Sequence, residues 1–152
     1  MSATSGPFRR ILVPTDFSSA SEEAWKTAGE LARRIGAELV LLHVLVEAPL
    51  YSESPFAGAR VREVYESARD WAQKKLDQWA GEARAAGLVV RVELHTGVPY
   101  RDIVTTGRDV DLIVIGTRGR GGVERAVLGS VADRVIRLAS CPVLSVRPTQ
   151  PE

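Results

Sequence analysis

Short apolar runs alternate along the chain with longer segments of helical periodicity. Runs rich in Val, Ile and Leu that end at turn residues are typical of buried strands, and they cover residues 10–13, 38–46, 111–115 and 142–146. Residues 89–96 alternate apolar and polar side chains, which predicts an edge strand. The order β-α-β-α-β-α-β-α-β predicts a parallel sheet with helices on both faces.

The segments between these runs repeat apolar residues at helical spacing. They predict helices over about residues 18–35, 59–86, 99–106 and 130–139. Gly36 and Gly87 favour helix ends, and residues 47–58, with two prolines and a glycine, predict a loop. The second helix carries its apolar residues on one stripe, formed by Val61, Val64, Ala68, Trp71, Ala72, Leu76, Trp79 and Ala83.

The composition is that of a globular chain, with 45% hydrophobic and 26% charged residues among 152. A formal net charge of +1 gives no bulk attraction to nucleic acid or to a membrane. No apolar run is long enough to cross a bilayer, and the N-terminus lacks the apolar segment of a secretory signal. We therefore expect one cytoplasmic domain over residues 1–152, with its core at about 9–147.

Glycine spacing is the most informative feature for function. Gly116, Gly119, Gly129 and Ser130 stand as G-x2-G-x9-G-S, between a predicted strand and a predicted helix. Glycines let backbone N–H groups approach phosphate oxygens closely, and a helix N-terminus attracts anions. The Ser130 hydroxyl could donate to a phosphate or cap the helix. A glycine-rich loop without a ligand is the alternative, and neither a Walker A motif nor G-x-G-x-x-G at the first turn is present.

The location of a ligand follows from the predicted sheet. In an open parallel sheet, ligands bind at the carboxyl ends of the strands, where the strand order reverses. The first strand ends in Pro14-Thr15-Asp16, and the fourth ends in Gly116-Thr117-Arg118-Gly119. If these strands are neighbours, both turns line one crevice.

These motifs resemble those of the universal stress protein family over about residues 10–147. The matching pieces are residues 11–16, His43-Val44, residues 111–116, the glycine spacing through Gly129-Ser130-Val131-Ala132, and residues 141–146. The resemblance implies a three-layer, Rossmann-like α/β fold of the adenine-nucleotide α-hydrolase-like type, with an open five-stranded parallel sheet ordered 3-2-1-4-5. It also implies the subclass that binds ATP, because members with the full glycine pattern are similar in binding it.

The resemblance further implies roles for particular residues. Asp16 and Val44 would border the adenine, and Pro14 and Gly116 would lie near the ribose. The phosphates would meet Gly119, Gly129, Ser130 and Val131, and Mg²⁺ would be carried by the triphosphate with no protein ligands. The predicted site also includes Thr15, Ile115 and Arg118. The loop arginines either clamp phosphates or only keep the loop solvated; these are Arg118, Arg120 and Arg125.

The predicted function is that of an ATP-binding regulator or sensor in the stress response. One alternative is a slow ATPase or nucleotidyl transferase, for which Asp16 is the only convincing general base. The other is a ligand-free module that dimerises. The resemblance implies a homodimer through the last strand, Val143–Val146, and an exposed edge strand needs such cover.

Other reactive or aromatic residues have simpler interpretations. His43 is expected to be hydrogen-bonded and partly buried, Asp16 either contacts the ligand or stabilises its turn, and His95 shows no partner in the sequence pattern. Cys141 is expected to be a buried, inert thiol. Trp71 and Trp79 lie two turns apart on one helix and are expected to pack in the core or an interface.

Overall fold

The structure, a computed structural model, describes residues 6–46, 55–117 and 128–148. Its elements are β1 (Arg10–Pro14), α1 (Ser19–Ile35), β2 (Glu38–Val46), α2 (Pro55–Ala85), β3 (Val90–Gly97), α3 (Pro99–Thr106), a 3₁₀ turn (Gly107–Asp109), β4 (Leu112–Gly116), α4 (Ser130–Leu138) and β5 (Val143–Val146). The five strands form one sheet in the order β3-β2-β1-β4-β5, and every pairing is parallel. This confirms the predicted fold class and strand order.

Alternation along the strands divides the core between the two faces of the sheet. In β1, Ile11 and Val13 point to one face and Leu12 to the other, and all three are fully buried. Residues of α1 and α2 cover the first face, with Ala24, Ala28, Leu76 and Ala80 packed in its core. Residues of α3 and α4 cover the second face, with Ile103, Ala132 and Val135 in its core. The result is the expected three layers.

The ends of α1 follow the signals in the sequence. The Ser18 hydroxyl accepts a hydrogen bond from the Ser21 N–H at 3.2 Å and so caps the helix start. Gly36 ends the helix with φ of 73°, a left-handed conformation that favours glycine. Its N–H donates to the Ala32 carbonyl at 2.8 Å.

The prediction was wrong about where α2 begins. The helix starts at Pro55, inside the segment predicted as a loop, because proline lacks an N–H that would be unpaired in the first turn anyway. Only part of the predicted stripe is buried: Ala72 and Leu76 are, whereas Val64 is 69% exposed and Trp71 44%. A helix of 31 residues is about 46 Å long, which exceeds the about 26 Å of β3, so the sheet cannot cover all of it.

None of the helices in the described part of the chain combines the length and apolar composition that a bilayer crossing requires.

Candidate functional site

The turns after β1 and β4 meet at the carboxyl edge of the sheet. The two strands are neighbours, with Ile11 beside Leu112 and Leu12 beside Ile113. The chain continues from β1 to β2 on one side, while β4 and β5 lie on the other, so the strand order reverses between β1 and β4. The turns that carry Pro14 to Asp16 and Gly116-Thr117 therefore flank the point where ligands bind in open α/β sheets.

Thr15 builds the turn after β1. Its N–H donates to the Leu42 carbonyl at 2.8 Å, and its own carbonyl accepts from Nδ1 of His43 at 2.6 Å. The buried hydroxyl lies 2.9 Å from the Ser21 hydroxyl and accepts from the Phe17 N–H at 2.9 Å. The side chain that was predicted to line a ligand site is thus engaged in joining β1 to α1.

Asp16 stabilises the same turn. Its Oδ1 accepts a hydrogen bond from the Ser18 N–H at 2.9 Å, which is the geometry of an Asx turn. The turn-stabilising role that was weighed for Asp16 is therefore realised by one carboxylate oxygen. Its contact with a ligand stays a prediction.

Phe17, next to Asp16, has a backbone conformation that side chains rarely adopt. Its φ is 62°, in the left-handed region, and it is the only residue other than glycine with positive φ among those described. Aromatic neighbours surround its ring: His43 at 4.7 Å, Trp71 at 5.2 Å and Trp79 at 5.5 Å between centroids. Trp79 packs against the core as expected, whereas Trp71 is 44% exposed. The contacts of both rings with Phe17 hold the strained residue in place.

Val44 and Ile115 lie on the face of the sheet that α3 and α4 cover. Both are buried in the cluster that contains Ala132 and Val135, and Val131 packs against that cluster. The structure therefore brings three predicted site residues together in or against one buried apolar cluster near the carboxyl edge.

Gly116 has a structural role that the sequence analysis missed. A Cβ atom at this position would lie 2.7 Å from the Ala20 carbonyl carbon, 2.8 Å from its oxygen and 2.9 Å from the Ser21 nitrogen. These are backbone atoms of α1, so they cannot move aside as a flexible side chain could. Glycine at the end of β4 lets α1 pack closely against the sheet, a need that spacing along the chain does not reveal.

The N-terminus of α4 has no side-chain cap. Gly129 is the N-cap residue and Ser130 is the first, exposed residue of the helix, so the Ser130 hydroxyl does not occupy the capping position. The Gly129 N–H donates to the Thr117 carbonyl at 2.6 Å, which brings the two ends of the glycine pattern together. Arg118 and Gly119 lie outside the described residues, as do Arg120 and Arg125.

The remaining reactive residues have partners or buried surroundings. His43 is hydrogen-bonded, as predicted. His95, for which the sequence pattern showed no partner, has its Nε2 3.8 Å from Oε2 of Glu93, because residues two apart in a strand share a face. Cys141 is half-buried, not buried as expected. This partial burial raises the pKa of its thiol, a backbone hydrogen bond opposes part of the rise, and the charge of Asp111 adds to it. The described residues contain no group of three His, Cys, Asp or Glu side chains that could hold a metal.

Comparison with protein-family models adds the decisive observation. The model of the universal stress protein family matches residues 7–147. The chain belongs to the universal stress protein family. Universal stress protein MJ0531 of Methanocaldococcus jannaschii is 36% identical over 151 residues, which cover 95% of this chain and 85% of that relative.

Solved structures of other universal stress proteins share the fold. Protein MJ0577 of Methanocaldococcus jannaschii superimposes with a TM-score of 0.83 at 28% identity, covering 96% of this chain and all of that one. A universal stress protein of Archaeoglobus fulgidus, solved in complex with dAMP, gives a TM-score of 0.62 at 25% identity, with 93% of this chain and 99% of that one covered.

Proposed function

We propose that this universal stress protein binds ATP at the carboxyl edge of its sheet and acts as a nucleotide-dependent regulator or sensor in the stress response. The observation that carries the proposal is the glycine spacing from Gly116 to Gly129-Ser130, which joins the end of β4 to a helix start without a side-chain cap. The first N–H groups of a helix have no carbonyl partner within it, and the helix dipole makes that end positive. Phosphate oxygens would accept hydrogen bonds from these N–H groups, and their negative charge would interact favourably with the positive end of the helix.

The residues predicted to contact the base and the ribose are placed where the adenosine part of a nucleotide could bind. Val44 and Ile115 belong to one apolar cluster against which an adenine ring would pack, and Pro14 and Gly116 end the two neighbouring strands beside it. The phosphates would meet Gly119, Gly129, Ser130 and Val131. Mg²⁺ would be held by phosphate oxygens and water, because the described residues offer it no cluster of ligating side chains.

An adenine nucleotide is also the ligand of a relative. The Archaeoglobus fulgidus protein was solved with dAMP, and it aligns over nearly the whole of this chain. That nucleotide carries one phosphate. The relative therefore supports an adenine base as the ligand here, whereas the proposal of three phosphates rests on the glycine pattern.

We favour binding over hydrolysis because of the position of Asp16. It is the only convincing general base at the predicted site, and its Oδ1 already accepts a hydrogen bond from the Ser18 N–H. A carboxylate that organises the β1–α1 turn is constrained from activating water. A sensor needs only to bind and release the nucleotide, without hydrolysing it.

Isothermal titration with Mg-ATP tests the proposal. The protein is first unfolded and refolded to remove bound nucleotide, and the released nucleotide is identified by anion-exchange chromatography. We expect binding of one ATP per chain. Absence of heat at saturating nucleotide, together with no nucleotide in the released fraction, contradicts the proposal.

We also propose a homodimer that pairs β5 of two chains, Val143–Val146. In the described sheet β5 is an edge strand, with β4 on one side only. Leu144 is 40% exposed there. Pairing with a second β5 would satisfy the outer backbone groups and cover this side chain.

A further inference from the structure

Two arginines converge on one tyrosine where α3 contacts α4. The guanidinium carbon of Arg134 lies 4.7 Å from the centre of the Tyr100 ring, and that of Arg101 lies 5.7 Å from it. Nε of Arg101 also donates a hydrogen bond to the Tyr100 hydroxyl at 3.0 Å. We refer to Tyr100, Arg101 and Arg134 as the arginine–tyrosine cluster.

Among the residues that the structure describes, no nearby carboxylate neutralises the positive charge of this cluster. In the described part of the chain, neither arginine forms an ion pair with an acidic side chain. Asp133, on α4, accepts instead from Nε of Arg137 at 3.1 Å. Asp102, on α3, buries its Oδ2 beside Gly97. Two cations near one ring without a carboxylate form a site that attracts an anion.

The ionisation of Tyr100 reflects this positive surrounding. The hydrogen bond from Arg101 lowers the pKa of the Tyr100 hydroxyl, and the charges of Arg101 and Arg134 lower it further, partly opposed by desolvation. The ring holds Arg134 over its face and Arg101 at its hydroxyl, so Tyr100 positions both guanidinium groups.

The cluster lies beside the helix start at which we place the phosphates. Ser130 and Arg134 are four residues apart on α4, so they share one face of the helix, and helical side chains lean toward the N-terminus. Tyr100 and Arg101 belong to the first turn of α3, which begins directly after β3 ends at the same edge of the sheet. The distance along α4 from Ser130 to Arg134 is about 6 Å, a span that the outer phosphates of a triphosphate can cover.

We infer that the arginine–tyrosine cluster binds the terminal phosphate of the nucleotide and thereby selects ATP over AMP. Guanidinium groups donate paired hydrogen bonds to phosphate oxygens, and a monophosphate bound at the start of α4 would not reach them. The inference rests on the proposed function and adds the residues that recognise the length of the phosphate chain. The other candidate occupant, an acidic surface of a protein partner, predicts that nucleotide affinities do not depend on these arginines.

The test compares Arg134→Gln with Arg137→Gln in titrations with Mg-ATP and with AMP. Both changes remove one positive charge from α4, but Arg137 is paired with Asp133 and lies one turn further from Ser130. We expect Arg134→Gln to weaken ATP binding about tenfold, the effect of one charge-assisted hydrogen bond, and to change AMP binding less than about twofold. Arg137→Gln should change neither affinity by more than about twofold.

Each outcome separates this inference from the function on which it rests. If the unchanged protein binds neither nucleotide, both proposals fail. If it binds ATP and Arg134→Gln leaves the ratio of ATP to AMP affinity unchanged, only the arginine–tyrosine cluster is excluded from the site. Arg101→Gln is the second variant, expected to act in the same direction, and circular dichroism melting of each variant verifies that it is folded.

Discussion

The backbone conformation of Gly129 does not require glycine. Its φ of −59° and ψ of 148° are open to any residue, and serine, threonine or aspartate would cap α4 better than glycine does. Glycine places no side chain of its own in front of the first N–H groups of α4. The proposed phosphate contact would give glycine a role at this position that its backbone conformation does not require.

We predict that Gly129→Val abolishes ATP binding and leaves the fold intact. The branched side chain would crowd the phosphate path, while its backbone conformation is already available to valine. Isothermal titration with Mg-ATP should show no binding by this variant. Gly81→Val is the control, because a side chain added there meets nothing within 4 Å. Normal ATP binding by Gly129→Val would show that the phosphates do not pass this turn.

Cys141 should react slowly with thiol reagents. Partial burial raises the pKa of its thiol, and the charge of Asp111 adds to a rise that a backbone hydrogen bond only partly opposes. The reactive thiolate is therefore scarcer at a given pH than in a free cysteine, whose pKa is about 8.5. The rate of modification by iodoacetamide at pH 8 should be lower than that of glutathione and should rise as the pH increases. Unfolding in urea should restore the ordinary rate. A fast reaction in the folded protein would contradict the assignment of an inert thiol.

At the scale of elements, the approach of β4 to α1 depends on Gly116. A methyl group there would overlap backbone atoms of Ala20 and Ser21, and overpacking of this kind costs about 1–3 kcal/mol. We predict that Gly116→Ala lowers the free energy of unfolding by that amount in urea denaturation. Gly81→Ala, at an open position in the middle of α2, should raise it by about 0.5–1 kcal/mol. Equal stability of the two variants would mean that α1 does not pack tightly on β4.

The sequence predicts elements well where one local signal dominates. The bounds of β2 and α3 agree with the prediction to the residue, because a turn or a proline marks each end. The start of α2 was missed because Pro55 fits a loop and a first helical turn equally well. The exposure of Val64 was missed because periodicity identifies a helical face but not how far the sheet extends beneath it.

At the scale of the whole molecule, the fold was predictable and the contacts within the site were not. Alternation of strands and helices specifies a parallel sheet, and resemblance to the family supplied the order of its strands. The pairing of Thr15 with Ser21, and of Arg134 with Tyr100, depends on how elements pack once the sheet has formed. Sequence spacing carries no signal for side chains that meet across two helices, so the arginine–tyrosine cluster emerged only from the structure.

The proposed dimer makes the edge at β5 different from the edge at β3. Both edges carry an exposed apolar residue, Leu144 in β5 and Val89 just before β3, but only pairing between two β5 strands would bury Leu144. We predict that the protein sediments as a dimer in analytical ultracentrifugation and that Leu144→Glu makes it a monomer with unchanged circular dichroism, because two carboxylates would be buried close together. Val89→Glu adds the same charge at the other edge and should remain dimeric. A monomeric starting protein, or dissociation by Val89→Glu alone, would move the interface away from β5.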